Sequence, residues 1–135
     1  MNKGVKEMEE KQIGDVVTGI YKTGKYIGVI TDIRPMHYLV QVKAVVKHPQ
    51  QGDLHNPKQA DVQMFHERRA LAFNEQTNVP KQMVKAFEGE IPDYRESLEK
   101  AVQTMKMNLE ELNTEWAKQS LSRLNVLEKE YFPQN

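Results

Sequence analysis

From Val16 to Val46 the chain is made almost wholly of strand-forming residues, broken at two places only, and this run constrains the fold more than any other feature. Val16, Val17, Ile20 and Tyr21 supply a first strand behind the turn signal Gly14-Asp15. Thr23-Gly24 then reads as a hairpin turn, with Gly24 free to take positive φ. The second strand is Tyr26 to Ile33, and Gly28 inside it predicts a bulge or tight bend where strands coil sharply. After Arg34-Pro35-Met36-His37 comes a third strand, Tyr38 to Val46, long enough to curve across both halves of a small barrel. Pro49 ends it. Asp61 to Phe65 reads as a fourth strand and Arg69 to Phe73 as a fifth.

The second half has helical period. Gln82-Met83-Val84 predicts a short helical turn, and Asp93-Tyr94-Arg95-Glu96 has the spacing of a capping box. Leu98, Ala101, Val102, Met105, Leu109 and Leu112 then recur at three and four, as one face of an amphipathic helix. Asn113-Thr114 interrupts and recaps. Ala117, Leu121, Leu124, Leu127 and Tyr131 continue a related stripe until Pro133. The fold class is therefore mainly β with α, a small five-stranded SH3-like barrel followed by a C-terminal helical hairpin. The expected organisation is a flexible N-terminus at 1–12, the barrel at 13–78 and a helical extension packed on it at 79–135.

Composition removes several function classes. Nineteen basic residues balance nineteen acidic ones, so nothing in the charge favours a nucleic-acid partner. The sequence has no cysteine, which excludes disulfides, thiolate zinc sites and cysteine catalysis. Its longest apolar runs fall far short of a membrane helix, and the charged MNKGVKEMEEKQ start lacks a signal-type apolar core. No membrane insertion and a cytoplasmic location are expected, with membrane association only through a partner.

The segment Gln51 to Phe73 is too long and too richly functionalised for a plain connector, since connections usually run about 4–6 residues. Asp53, His55, Asn56, His66, Glu67, Arg68 and Arg69 together read as a partner-binding face. An arginine fork suits a carboxylate or phosphate. The plainer reading, which is favoured, is an internal ion pair of Arg68 or Arg69 with Glu67, Asp53 or Glu96. Tyr21, Tyr26 and Tyr38 offer a groove for an extended peptide, and core packing explains them equally well. His48, His55 and His66 lack any recognised zinc spacing, so no metal and no cofactor are expected. Asp53, Asp61, Glu67 and Glu75 show no spacing that selects a catalytic pair.

Four runs carry a resemblance: GDVVTGIYKTGKYIG at 14–28, HPQQGDLHNPKQADV at 48–62, FHERRALAFNEQTNVPKQMVK at 65–85 and GEIPDYRESL at 89–98. They resemble the kinase-associated protein B family of endospore-forming bacteria, over roughly residues 12–100. The resemblance implies a small barrel with C-terminal helices and a link to a sensor histidine kinase that feeds the sporulation phosphorelay. It implies no catalytic residues. Some members are described as lipoproteins, but without a cysteine or signal peptide a cytoplasmic protein is expected here.

The expected function is a non-enzymatic adaptor that binds the kinase, or a component upstream of it. A homodimer through the helical hairpin is left open. Two alternatives come from other classes. An RNA- or nucleic-acid-binding barrel would gather Lys22, Lys25, Lys43 and Lys47 beside Tyr21 and Tyr26. A metal-dependent hydrolase would converge His48, His55 and His66.

Overall fold

A computed structural model describes residues 10–53 and 55–133. The strands are β1 (Val16–Tyr21), β2 (Gly24–Ile33), β3 (His37–Lys47), β4 (Gln76–Pro80) and β5 (Val84–Ala86). One turn of 3-10 helix, Lys81–Met83, joins the last two, as the sequence predicts to within a residue. Two helices follow, α1 (Tyr94–Leu112) and α2 (Glu115–Tyr131). The sheet is antiparallel throughout, in the order β4-β3-β2-β1-β5. Among the described residues its two edges are not joined by a hydrogen-bonded ladder; instead the Val79 side chain of β4 packs over Gly19 of β1.

The β1–β2 hairpin forms where expected, but its turn is built differently. Tyr21 pairs with Gly24, so the two turn residues are Lys22 and Thr23, and both take the left-handed conformation at φ 45° and 71°. Positive φ at both central residues is the demand of the tightest hairpin turns, which normally select Asn or Gly. Gly24 is needed for another reason: a Cβ there would run into the Tyr26 ring. Gly28 does sit at a shift in the β2–β3 register, and a Cβ there would meet the Gln41 carbonyl and the Val40 side chain.

Two expected strands are absent, and two unexpected ones replace them. Residues 61–65 and 69–73 have no regular structure, and the sheet instead uses 76–80 and 84–86. The sheet thus runs past residue 78. Gln76–Pro80 carries little apolar character beyond Val79, as an edge strand tolerates, and Pro80 closes it. The charged start was expected to fray through residue 12. Residues 1–9 lie outside the described ones, but the buried Lys11 donates its N–H to the Tyr38 hydroxyl at 2.9 Å.

β3 links two cores. Its Tyr38 and Val40 join Val17, Ile30, Val79 and Val84 inside the curved sheet. Its Val42 and Val45 lie with Tyr26 under the helices, against Leu98, Val102, Trp116 and Leu124. The helical hairpin is held by local chemistry that the sequence displays. Asp93 accepts from the Glu96 N–H, Asn113 turns left-handed at φ 49°, and Thr114 accepts from the Ala117 N–H. These caps satisfy backbone groups that helix ends otherwise leave open.

Candidate functional site

Among the described residues between Lys47 and Gln76, a strap across the molecule, the backbone makes no regular structure, yet much of it is tied down. Buried polar backbone must find partners, and here the partners are side chains. Gln51, almost fully buried, spends its whole amide on the strap. Its Oε1 accepts the Arg68 N–H at 2.9 Å, and its Nε2 donates to the Arg68 carbonyl at 2.9 Å and to Pro49 O at 3.2 Å. A glutamine side chain thus substitutes for a strand partner. Gly52 N donates to His66 O at 2.9 Å, and the Trp116 indole donates to Gln51 O at 3.1 Å.

Three tyrosines from three elements hold Ala70 and Leu71. Tyr131 on α2 accepts the Ala70 N–H at 2.8 Å, Tyr26 on β2 accepts the Leu71 N–H at 3.3 Å, and Tyr94 on α1 donates to the Leu71 carbonyl. Burial pushes all three phenols upward, Tyr94 to about 12; neighbouring tyrosines add to it at Tyr26 and Tyr94, and Glu67 and Glu130 do so at Tyr131. They stay protonated throughout the physiological range. This latch explains why Arg69 to Phe73 is buried in part without being a strand.

His48 completes the latch. It is fully buried, with Nδ1 2.9 Å from Pro49 O and Nε2 2.9 Å from the Tyr131 hydroxyl. A carbonyl only accepts, so Nδ1 carries the proton and Nε2 accepts from Tyr131. Burial lowers its pKa to about 4, partly offset by the Pro49 carbonyl. The imidazole is neutral at neutral pH.

The latch presents a cleft of about 290 Å³. Glu67, Arg68 and Arg69 line it together with Tyr21, Lys22 and Tyr26. Two expected groups, the charged knuckle and two of the three tyrosines, thus meet at one place. Tyr38 does not join them: it is buried in the inner core, apart from Tyr26, so the three tyrosines form no common groove. Arg69 does make an internal ion pair, but with Glu130 on α2 rather than with Glu67, Asp53 or Glu96. Its guanidinium also lies 5.3 Å from the Tyr131 ring centre, and Glu130 holds its pKa above the usual value. Arg68 donates from Nη2 to Gly52 O at 3.2 Å, and its buried Nε has no partner.

Asp53, His55 and Asn56 form a separate exposed turn beside Gly52. The Asp53 carboxylate accepts the His55 N–H at 2.9 Å and the Asn56 amide at 3.1 Å. These bonds, the His55 N–H first, hold its pKa below the ordinary value. His66 is exposed nearby. The alternatives fare differently. Both ring nitrogens of His48 are engaged, and among the described residues no three His, Cys, Asp or Glu side chains gather as a metal site would need. Lys43 is bonded to Asn74 at 2.6 Å and lies over Phe73, so of the four lysines only Lys22 lines the cleft with Tyr21 and Tyr26.

The sequence reading gave no site role to Gln51, Tyr94, Tyr131 or Glu130. A polar-tipped aromatic on the buried face of a helix was the available signal, because a buried tyrosine hydroxyl seeks a partner.

Comparison with known proteins gives concordant results. A family model described as "Kinase associated protein B" matches residues 21–132. "Kinase-associated lipoprotein B" of Bacillus subtilis (strain 168) is 61% identical over 125 residues, covering 93% of this chain and 98% of that protein. The crystal structure of kinase-associated protein B from Bacillus cereus has a TM-score of 0.78 at 51% identity, covering 90% of this chain and 98% of the other.

Proposed function

Because the chain belongs to the kinase-associated protein B family, we propose that it is a non-enzymatic regulatory protein that binds a sensor histidine kinase of the sporulation phosphorelay, or a component upstream of it. The family match carries this reading, since the relatives are named for association with a kinase. The cleft supplies the contact surface in this reading. Lys22, Glu67 and Arg69 place both signs of charge beside Tyr21, on a strap that three tyrosine hydroxyls and Gln51 hold in position. Rigid presentation lowers the ordering cost of binding. A protein of this kind shifts its partner between conformations by binding one of them more tightly.

The reading places the protein in the cytoplasm, at the membrane only through its partner. Among the described residues no helix is long and apolar enough to cross a membrane. The lipoprotein in the name of the Bacillus subtilis relative is the rival placement, and fractionation of cells with and without the kinase separates the two.

The test is the rate at which the cytoplasmic region of a sporulation sensor kinase autophosphorylates. Wild-type protein is expected to change that rate, and a folded Lys22→Glu, Arg69→Glu variant to leave it unaltered. A wild-type protein without effect on any such kinase defeats the reading.

A further inference from the structure

His48 and Gln50, the neighbours of the Pro49 that lines the cleft, line a second groove of about 230 Å³. Its floor is Ala101, Met105, Leu109 and Trp116. Val46 and Leu112 line it too, yet are 45% and 48% exposed. Leu112 belongs to the apolar stripe of α1 by its spacing, and the fold leaves it uncovered.

The charge around the groove is one-sided. Lys47 and Lys58 line it, and no carboxylate does. Lys47 stands directly opposite Lys25 across the β2–β3 ladder, and like charges so placed destabilise a sheet. Among the described residues none of these three lysines makes an ion pair closer than 4 Å. A basic occupant would deepen that repulsion. A neutral one would leave it standing. An acidic one relieves it.

We propose that this groove takes an acidic segment of a partner protein, anchored by one apolar side chain on the floor and flanked by carboxylates that meet Lys47 and Lys58. The volume suits a single anchor side chain, below the range of ordinary small-molecule sites. The inference stands apart from the kinase reading, because it specifies the chemistry of the bound segment whichever protein carries it.

The test selects binders from a displayed library of random peptides, with the whole protein as bait. Trp116, the one tryptophan in the chain, lines the groove, so its emission reports occupancy by any peptide selected. Expected binders combine Leu, Phe or Met with flanking Asp or Glu and shift the Trp116 emission. Lys47→Glu should weaken them at least about tenfold while raising the thermal midpoint, since it removes the like-charge pair. Leu112→Ala should weaken them with the fold retained, and Arg69→Glu should leave them unchanged. Basic binders, no enriched binders, or acidic binders lost in Arg69→Glu but kept in Lys47→Glu would each overturn the proposal.

Discussion

The Tyr131 hydroxyl gives its proton to His48 Nε2 across 2.9 Å and accepts the Ala70 N–H at 2.8 Å. One phenol at the end of the last helix therefore joins the end of β3 to the middle of the strap. The direction of every bond in this chain follows from the Pro49 carbonyl, which only accepts and so forces the proton onto Nδ1. Protonating His48 would make both ring nitrogens donors, leaving the Tyr131 proton without its acceptor.

Acid should therefore loosen the latch. The pKa of His48 is about 4 in the folded protein against 6.5 ordinarily. A depressed folded value means that the unfolded chain binds the proton first as pH falls. The stabilisation is fully present above pH 6.5 and is lost progressively down to pH 4, amounting to about 3 kcal/mol at most. Urea unfolding across that window should show the loss, and His48→Gln should lower stability at neutral pH but flatten the decline. Parallel pH curves for the two proteins would refute the assignment.

Tyr131→Phe leaves two buried groups, His48 Nε2 and the Ala70 N–H, without partners. The expected cost is about 2–6 kcal/mol, because each of the two unsatisfied groups costs roughly 1–3 kcal/mol. Thermal unfolding measures it, and faster hydrogen exchange at the Ala70 amide locates it.

Arg69→Ala should be mild by contrast. Arg69 and Glu130 are each about half exposed, so their pair is screened by water. A loss below about 1 kcal/mol is expected in chemical denaturation. That mildness makes Arg69 a sound position for probing binding without unfolding the protein.

The β1–β2 turn should accept improvement at one position and refuse it at the next. Lys22→Asn suits the left-handed backbone and is expected to stabilise by about 0.5–1 kcal/mol. Thr23→Gly would relax the backbone equally, but it removes the hydroxyl that accepts the Gln50 N–H at 2.9 Å and should be neutral or destabilising. Thermal midpoints of the two variants distinguish these outcomes.

Local signals account for what the sequence made legible. The hairpin, the long β3 and both helices with their caps rest on periodicity and on single residues such as Asp93, Asn113 and Thr114. The last two strands were not legible, because Gln76–Pro80 is polar and becomes a strand through its pairing with Gln41–His37. Phe65, Ala70 and Leu71 misled in the opposite direction. They pack under the helices as strand residues would, while tyrosine hydroxyls serve the backbone of Ala70 and Leu71 and Gln51 serves that of Arg68. The charged knuckle at Glu67 to Arg69 was legible as a site, whereas its neighbour Glu130 reads as ordinary solvated helix surface. Tyr21, Tyr26 and Tyr38 looked alike in the sequence, and only the bend of the sheet assigns Tyr38 to the other core.

The most direct measurement is calorimetric titration of the protein into the cytoplasmic region of a sporulation sensor histidine kinase. The account predicts saturable binding that weakens at least about tenfold in Lys22→Glu, Arg69→Glu while the thermal midpoint stays within a few degrees. Wild type and variant binding with equal affinity, or neither binding while both remain folded, would contradict it.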